Sequence, residues 1–174
     1  TDYTGVAYFY LDRGEGTAPP LPAAEARAVT PPKSFVIVPA WVGPIRSFSM
    51  DHATIGRVQE RIDGQTVRFL SLRQNGRPSL LQHFVALTAD VPQSGRYAVS
   101  VVGIAGPDAG IVQMLRDDQP IGEPADFYAP RRSKTGLQKL TQMNLTRGPN
   151  HLFFALVGKN AKSTGKGFDL VEIH

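Results

Sequence analysis

The 174-residue sequence contains no cysteine. Disulfides, thiolate nucleophiles and cysteine-ligated metals are therefore excluded. No stretch approaches the ~20 consecutive apolar residues of a membrane helix, and no leader-like segment stands at Thr1, so no membrane partner is expected. Histidine is scarce: His52, His83, His151 and His174 lie far apart, without the i, i+4 pairing of a helical metal site. Blocks of one charge sign are missing as well. Nineteen Lys and Arg interleave with fifteen Asp and Glu, so the net charge of +4 and the pI near 9.6 do not amount to a basic patch, and no nucleic-acid partner is expected.

What is present points to a folded β protein. Hydrophobic residues make up 41%, with nine Phe and five Tyr, enough to build a core. Seventeen Gly and fourteen Pro suit short strands with frequent turns. Residues 151–174 organise the rest: two apolar runs flank a loop rich in Gly, Asn, Ser, Thr and Lys. In the first run both alternating sets, Leu152, Phe154, Leu156 and Phe153, Ala155, Val157, are apolar, which predicts a mid-sheet strand. The second run predicts Phe168, Leu170 and Glu172 on one face and Asp169, Val171 and Ile173 on the other.

Upstream, residues 6–11 read as an aromatic strand, and a Pro-rich passage through Pro31-Pro32 reads as a semi-rigid linker. We therefore expect 1–32 to be a residual strand and linker of a preceding domain, in a fragment or processed chain, and 33–174 to be one module. Residues 34–38 read as a strand. Residues 39–66 follow no firm period and read as a long excursion with one short strand at most, ending at the Asp63-Gly64 turn. Strands are expected at 67–72, 83–90, 96–104, 111–115 and 137–145, with a turn at Asn75-Gly76 and a tight hairpin at Asp117-Asp118. With no helical segment of ten residues, the pattern is all-β, an antiparallel β-sandwich.

Chemistry-bearing motifs are weak. The loop from Gly158 to Gly167 has Lys166 followed by Gly167 where a phosphate loop needs a hydroxyl, and strands flank it. No Gly-x-Ser-x-Gly elbow occurs. Carboxylates are plentiful but sit mostly at turns, so no pair stands out for acid–base work. Loop aromatics are more suggestive. Trp41, Tyr128 and Phe48 offer flat faces to the C–H side of a sugar, and Arg131, Lys159 and Asn160 offer donors for its hydroxyls. The alternative is that Trp41 and Tyr128 plug the ends of the sandwich.

Two stretches carry resemblances. Tyr3-Thr-Gly-Val-Ala-Tyr-Phe-Tyr10, with Leu21-Pro22 and Arg27 after it, resembles the closing strand of the catalytic region in glycoside hydrolase family 172. Gly95-Arg-Tyr-Ala-Val-Ser-Val, Asp117-Asp-Gln-Pro-Ile-Gly122, Asn150-His-Leu-Phe-Phe-Ala-Leu and Gly167-Phe-Asp-Leu-Val-Glu-Ile173 are similar in pattern to the galactose-binding-like jelly rolls of carbohydrate-binding module families 6 and 35. That resemblance implies sugar binding by an aromatic and an Asn near the last strand, positions that Tyr128 and Asn160 approximate. It also implies a calcium ion held by an acid pair in the first strand and an Asp in the last. Asp169 matches, but Phe35-Val-Ile-Val38 contains no acid, and we expect no cofactor.

The resemblance thus implies a non-catalytic carbohydrate-binding accessory module of a glycoside hydrolase, secreted or periplasmic. Its partners would be polysaccharide or oligosaccharide and the parent catalytic domain, and its ligand-binding residues Trp41, Tyr128, Arg131, Lys159 and Asn160. One alternative is a structural or oligomerisation module, with Trp41, Phe48 and Tyr10 forming an apolar patch on a homo-oligomer. A second is a hydrolase in its own right, which requires two carboxylates ~5–9 Å apart on one concave surface.

Overall fold

The computed structural model describes residues 36–48, 53–74 and 83–174, all within the compact unit Ser34–His174. The strand expected at 6–11, the linker through 32 and the Asn75-Gly76 turn lie outside the described residues. The elements are β1 (Val38–Pro39), β2 (Ile45–Phe48), β3 (Ala53–Ile62), β4 (Gln65–Gln74), β5 (His83–Val91), β6 (Gly95–Ala105), β7 (Gly110–Arg116), β8 (Gln119–Asp126), β9 (Ser133–Lys134), β10 (Gln138–Leu145), β11 (Gly148–Lys159) and β12 (Gly167–Ile173). They form two antiparallel sheets. The seven-stranded sheet runs β10-β6-β12-β4-β3, with β1 added to β12 and β9 to β6; the five-stranded sheet runs β2-β5-β11-β7-β8.

The two closing strands are both interior, one in each sheet. β11 lies between β5 and β7, as its two apolar faces require. β12 lies between β4 and β6. Its alternation holds only in part, because the register against β6 shifts between Leu170 and Glu172. That irregularity turns Ile173 into the same core as Phe168 and Leu170, while Val171 stays on the other face.

The main core fills the space between the sheets. Phe127, Phe154 and Phe168 sit at its centre, with ring centroids 5.2 Å apart for Phe127–Phe168 and 6.2 Å for Phe154–Phe168, both tilted. Leu70, Leu72, Val85, Leu87, Val101, Met114 and Leu170 surround them. A smaller apolar cluster, Ile62, Val67, Phe69 and Ile104, lies on the opposite face of the seven-stranded sheet.

Turn chemistry sets two hairpins. Between β3 and β4, Asp63 and Gly64 have φ of 48° and 79°; between β7 and β8, Asp117 and Asp118 have φ of 51° and 61°. Both turns have two central residues with positive φ, which matches the right-handed twist of the flanking strands. Residues 53–62, expected in the irregular excursion, instead form the ten-residue strand β3. β3 is an edge strand paired to β4 alone among the described strands, so most of its residues face solvent and no apolar alternation is required of it.

Candidate functional site

Three connections meet where β6 and β11 finish and β7 and β12 begin. They are 106–109, 127–132 and 160–166, and backbone pairing of Gly106 with Tyr128 and of Ala109 with Gly167 stitches them together. The buried Ser163 hydroxyl lies 2.7 Å from the Ala109 carbonyl and 3.1 Å from that of Pro107. The Thr164 N–H donates to the same Pro107 carbonyl at 2.8 Å.

Asp126, the last residue of β8, joins two of these connections. Its Oδ1 accepts the Tyr128 N–H at 2.9 Å and its Oδ2 accepts Nδ2 of Asn160 at 2.6 Å. Tyr128 and Asn160 therefore belong to one constellation, joined by a carboxylate that no sequence motif singles out. Asn160 is engaged through both of its polar atoms, since its Oδ1 accepts the Lys162 N–H at 3.0 Å. The Lys159 ammonium donates to the Ser163 carbonyl at 3.1 Å, closing its own loop. The Tyr128 ring is half-exposed and Arg131 is exposed. Neither side chain makes a hydrogen bond or ion pair among the described residues.

Trp41 falls elsewhere. It follows Ala40, whose N–H donates to the Val171 carbonyl towards the far end of β12. Its own carbonyl accepts Nε of Arg57 at 2.6 Å, and the Arg68 guanidinium lies 5.8 Å from its ring centroid. Half-buried against two arginines, it braces the β3–β4 hairpin. In the alternative apolar patch, Tyr10 and the Phe48 side chain lie outside the described residues.

Beside the loop end lies an ionic cluster on the outer face of the seven-stranded sheet. Asp169, only 2% exposed, receives Arg73 at 2.6 Å and Arg132 at 2.8 Å on the same Oδ2. Arg132 also grips Glu60 at 2.9 Å and 3.1 Å and reaches Asp108 at 3.4 Å, while Arg73 reaches Asp108 at 3.5 Å. The Arg132 guanidinium lies 5.8 Å from the Phe69 ring centroid. Burial works against the Arg132 cation, but the hydrogen bond and charge of Asp169, and then those of Glu60, outweigh it and raise the guanidinium above its ordinary value.

This cluster answers the calcium question raised by the resemblance. Oδ1 of Asp169 is buried and without a partner, which taken alone would suit a cation. A divalent ion there would, however, meet two guanidiniums already on the carboxylate. No group of three His, Asp or Glu able to hold a metal occurs among the described residues. The residues present do not fit calcium.

No protein-family model matches the sequence, and neither does any curated protein. Solved structures are similar to it. A Paenibacillus xanthan lyase matches 79% of this chain with 20% identity and a TM-score of 0.61, and the chain spans 13% of that enzyme's length. A CBM36 carbohydrate-binding module, solved with calcium and xylotriose, matches 80% of this chain and 98% of its own length, with 17% identity and a TM-score of 0.50. The chain has the β-sandwich fold of these modules. A family 35 module from an environmental isolate matches 80% of this chain and 91% of its own, at 13% identity and a TM-score of 0.48.

Proposed function

We propose that the chain is a non-catalytic carbohydrate-binding module that holds a larger secreted or periplasmic enzyme near its polysaccharide. The loop end around Asp126 carries the reading: it presents a half-exposed aromatic ring whose backbone is held by Asp126 and Gly106, beside an exposed guanidinium with no partner among the described residues. Tyr128 stacks on the C–H face of a pyranose, and Arg131 donates to its hydroxyls. Asn160 and Lys159 act one step back, holding the loops in place through their bonds to Asp126, the Lys162 N–H and the Ser163 carbonyl. Trp41 plays no part at this end. The fold shared with a carbohydrate-binding module, and with a small part of a xanthan lyase, supports the accessory role by analogy of fold.

Glycan-array screening followed by calorimetry tests this. Binding of at least one oligosaccharide is expected, with Tyr128→Ala weakening it about tenfold or more at unchanged melting temperature, as expected for loss of one stacking platform. Absence of binding to every glycan, or full affinity in Tyr128→Ala, would refute it.

A further inference from the structure

The β3–β4 hairpin separates charges that are mixed along the chain. Ile55 and Leu72 are paired across it and pack on the main core, while Val58 and Phe69 are paired and belong to the smaller cluster on the other face. Side chains alternate between the two faces, so Arg57, Gln59 and Arg61 of β3 share the core-side face with Thr66 and Arg68 of β4. Glu60, next to Arg61 in sequence, falls on the opposite face, where Arg132 holds it at 2.9 Å. Towards the Asp63-Gly64 turn the core-side face runs out past the core: Arg57, Gln59, Arg61, Thr66 and Arg68 are all exposed. No side chain that β3 or β4 presents on this face is acidic.

Trp41 draws two of these cations together. Its carbonyl accepts Nε of Arg57 at 2.6 Å, and its ring centroid lies 5.8 Å from the Arg68 guanidinium. Gln59, directly opposite Arg68, accepts Nε of that guanidinium on its Oε1 at 2.8 Å. These contacts position both arginines without neutralising either, because a carbonyl, an amide and a ring carry no net charge. Arg57 pairs with Leu70 and Arg61 with Thr66, so Arg68 is the diagonal neighbour of both, about 7–8 Å away in each case. The outer two stand about 13 Å apart along β3. None of the three makes an ion pair among the described residues, and Asp63 in the turn makes none either. Three like charges on one acid-free face raise the local positive potential.

We propose that this face is a second binding site, for a polyanionic polysaccharide that carries carboxylates or sulfates along its chain. A row of cations spanning about 13 Å is too long for one anionic group and fits several groups on an extended chain laid along the hairpin. Each guanidinium keeps N–H donors free of the contacts above, in a planar fork that matches a carboxylate or sulfate edge. Trp41 sets the arginines and does not itself stack on the sugar. A nucleic acid fits less well: Trp41 is the aromatic at this face and Arg68 already lies over it, which leaves no series of platforms for successive bases. The site lies apart from Tyr128. The end of β4 meets the 160–166 connection, where the Gln74 N–H donates to the Lys166 carbonyl at 3.0 Å, and the arginines lie towards the turn at the other end. The choice of a polysaccharide rests on the reading of the chain as a glycan-binding module; the place and sign of the site do not.

The test is calorimetric titration of the full 174-residue chain with polygalacturonate, dextran sulfate, neutral dextran and single-stranded DNA, with the emission of Trp41, the single tryptophan, followed in parallel. At least one of the two acidic polysaccharides should bind and change the Trp41 emission, and which of them binds names the anionic group. Raising NaCl from about 0.05 to about 0.5 M should weaken that binding at least about tenfold. Arg61→Gln, which removes a side chain without contacts, should weaken it about threefold, and Arg61→Gln/Arg68→Gln at least about tenfold. Both side chains are exposed, so the variants should melt like the parent, and Tyr128→Ala should bind the polyanion as the parent does. The proposal is overturned if neither acidic polysaccharide binds, if the double variant binds as tightly as the parent, or if neutral dextran binds as tightly as either. Tighter binding of DNA than of both acidic polysaccharides overturns it in favour of a nucleic-acid surface. Loss of polyanion binding in Tyr128→Ala puts the anion at the loop end, which overturns this site and leaves the module reading intact. Absence of binding by any saccharide would sink both.

Discussion

Replacing Arg73 and Arg132 together with methionine strands a carboxylate that is 2% exposed. The two arginines are 28% and 26% exposed and supply the charges that face Asp169. Removing one leaves the other on the same Oδ2, so each single variant should cost about 1–2 kcal/mol. Removing both leaves a buried, uncompensated charge, for which about 3–5 kcal/mol is expected. At roughly 2–4 °C per kcal/mol for a chain of this size, the double variant should melt on the order of 10 °C lower. Adding Asp169→Asn to the double variant removes the stranded charge and should recover more than half of the loss, since apolar or neutral replacements of a whole buried ion group are close to neutral. Urea unfolding followed by fluorescence of Trp41, the single tryptophan, measures all four variants. A double variant less than ~1 kcal/mol below the parent would refute the reasoning, as would an Asp169→Asn addition that makes matters worse.

Other expectations follow from the same structure. Excess EDTA should leave the melting temperature unchanged and added calcium should not raise it, because guanidiniums occupy the carboxylate; calorimetric melting with and without each reagent decides. Asp118→Gly should raise stability by about 0.5–1 kcal/mol in chemical denaturation, since Asp118 holds a φ of 61° that glycine adopts without steric cost. Phe168→Ala should lose about 3–5 kcal/mol, because its ring contacts both Phe127 and Phe154. Asn160→Ala should lose about 1 kcal/mol and speed hydrogen exchange at the Lys162 amide, which its Oδ1 accepts.

The parts of the fold visible in the sequence were those where one strand carries its own signal. β11 announces a mid-sheet position through apolar residues on both faces, and the Asp117-Asp118 hairpin through its turn residues. β3 was hidden because an edge strand facing solvent needs no alternation: Arg57, Gln59, Glu60 and Arg61 read as loop. The place of Ile173 was hidden by a single register shift in the middle of β12. For the candidate site, residue type singled out Tyr128 and Asn160, but not the carboxylate that joins them, since Asp126 lies 34 residues from Asn160 in sequence. Asp169 shows the same limit: its arginine partners stand 96 and 37 residues off, and only the assembled sheet brings them within reach.

The position of β12 also governs the order of events during folding. It is the central rib between β4 and β6, with Gly167 opposite Arg73, so most of its contacts span a large loop of chain and carry a high closure entropy. The β3–β4 hairpin can form early by itself, but its path to the rest of the seven-stranded sheet runs through β12. During synthesis the nascent chain must therefore carry unpaired edges on both β4 and β6 until Ile173 has left the ribosome. Until then those edges are open to pairing with other chains.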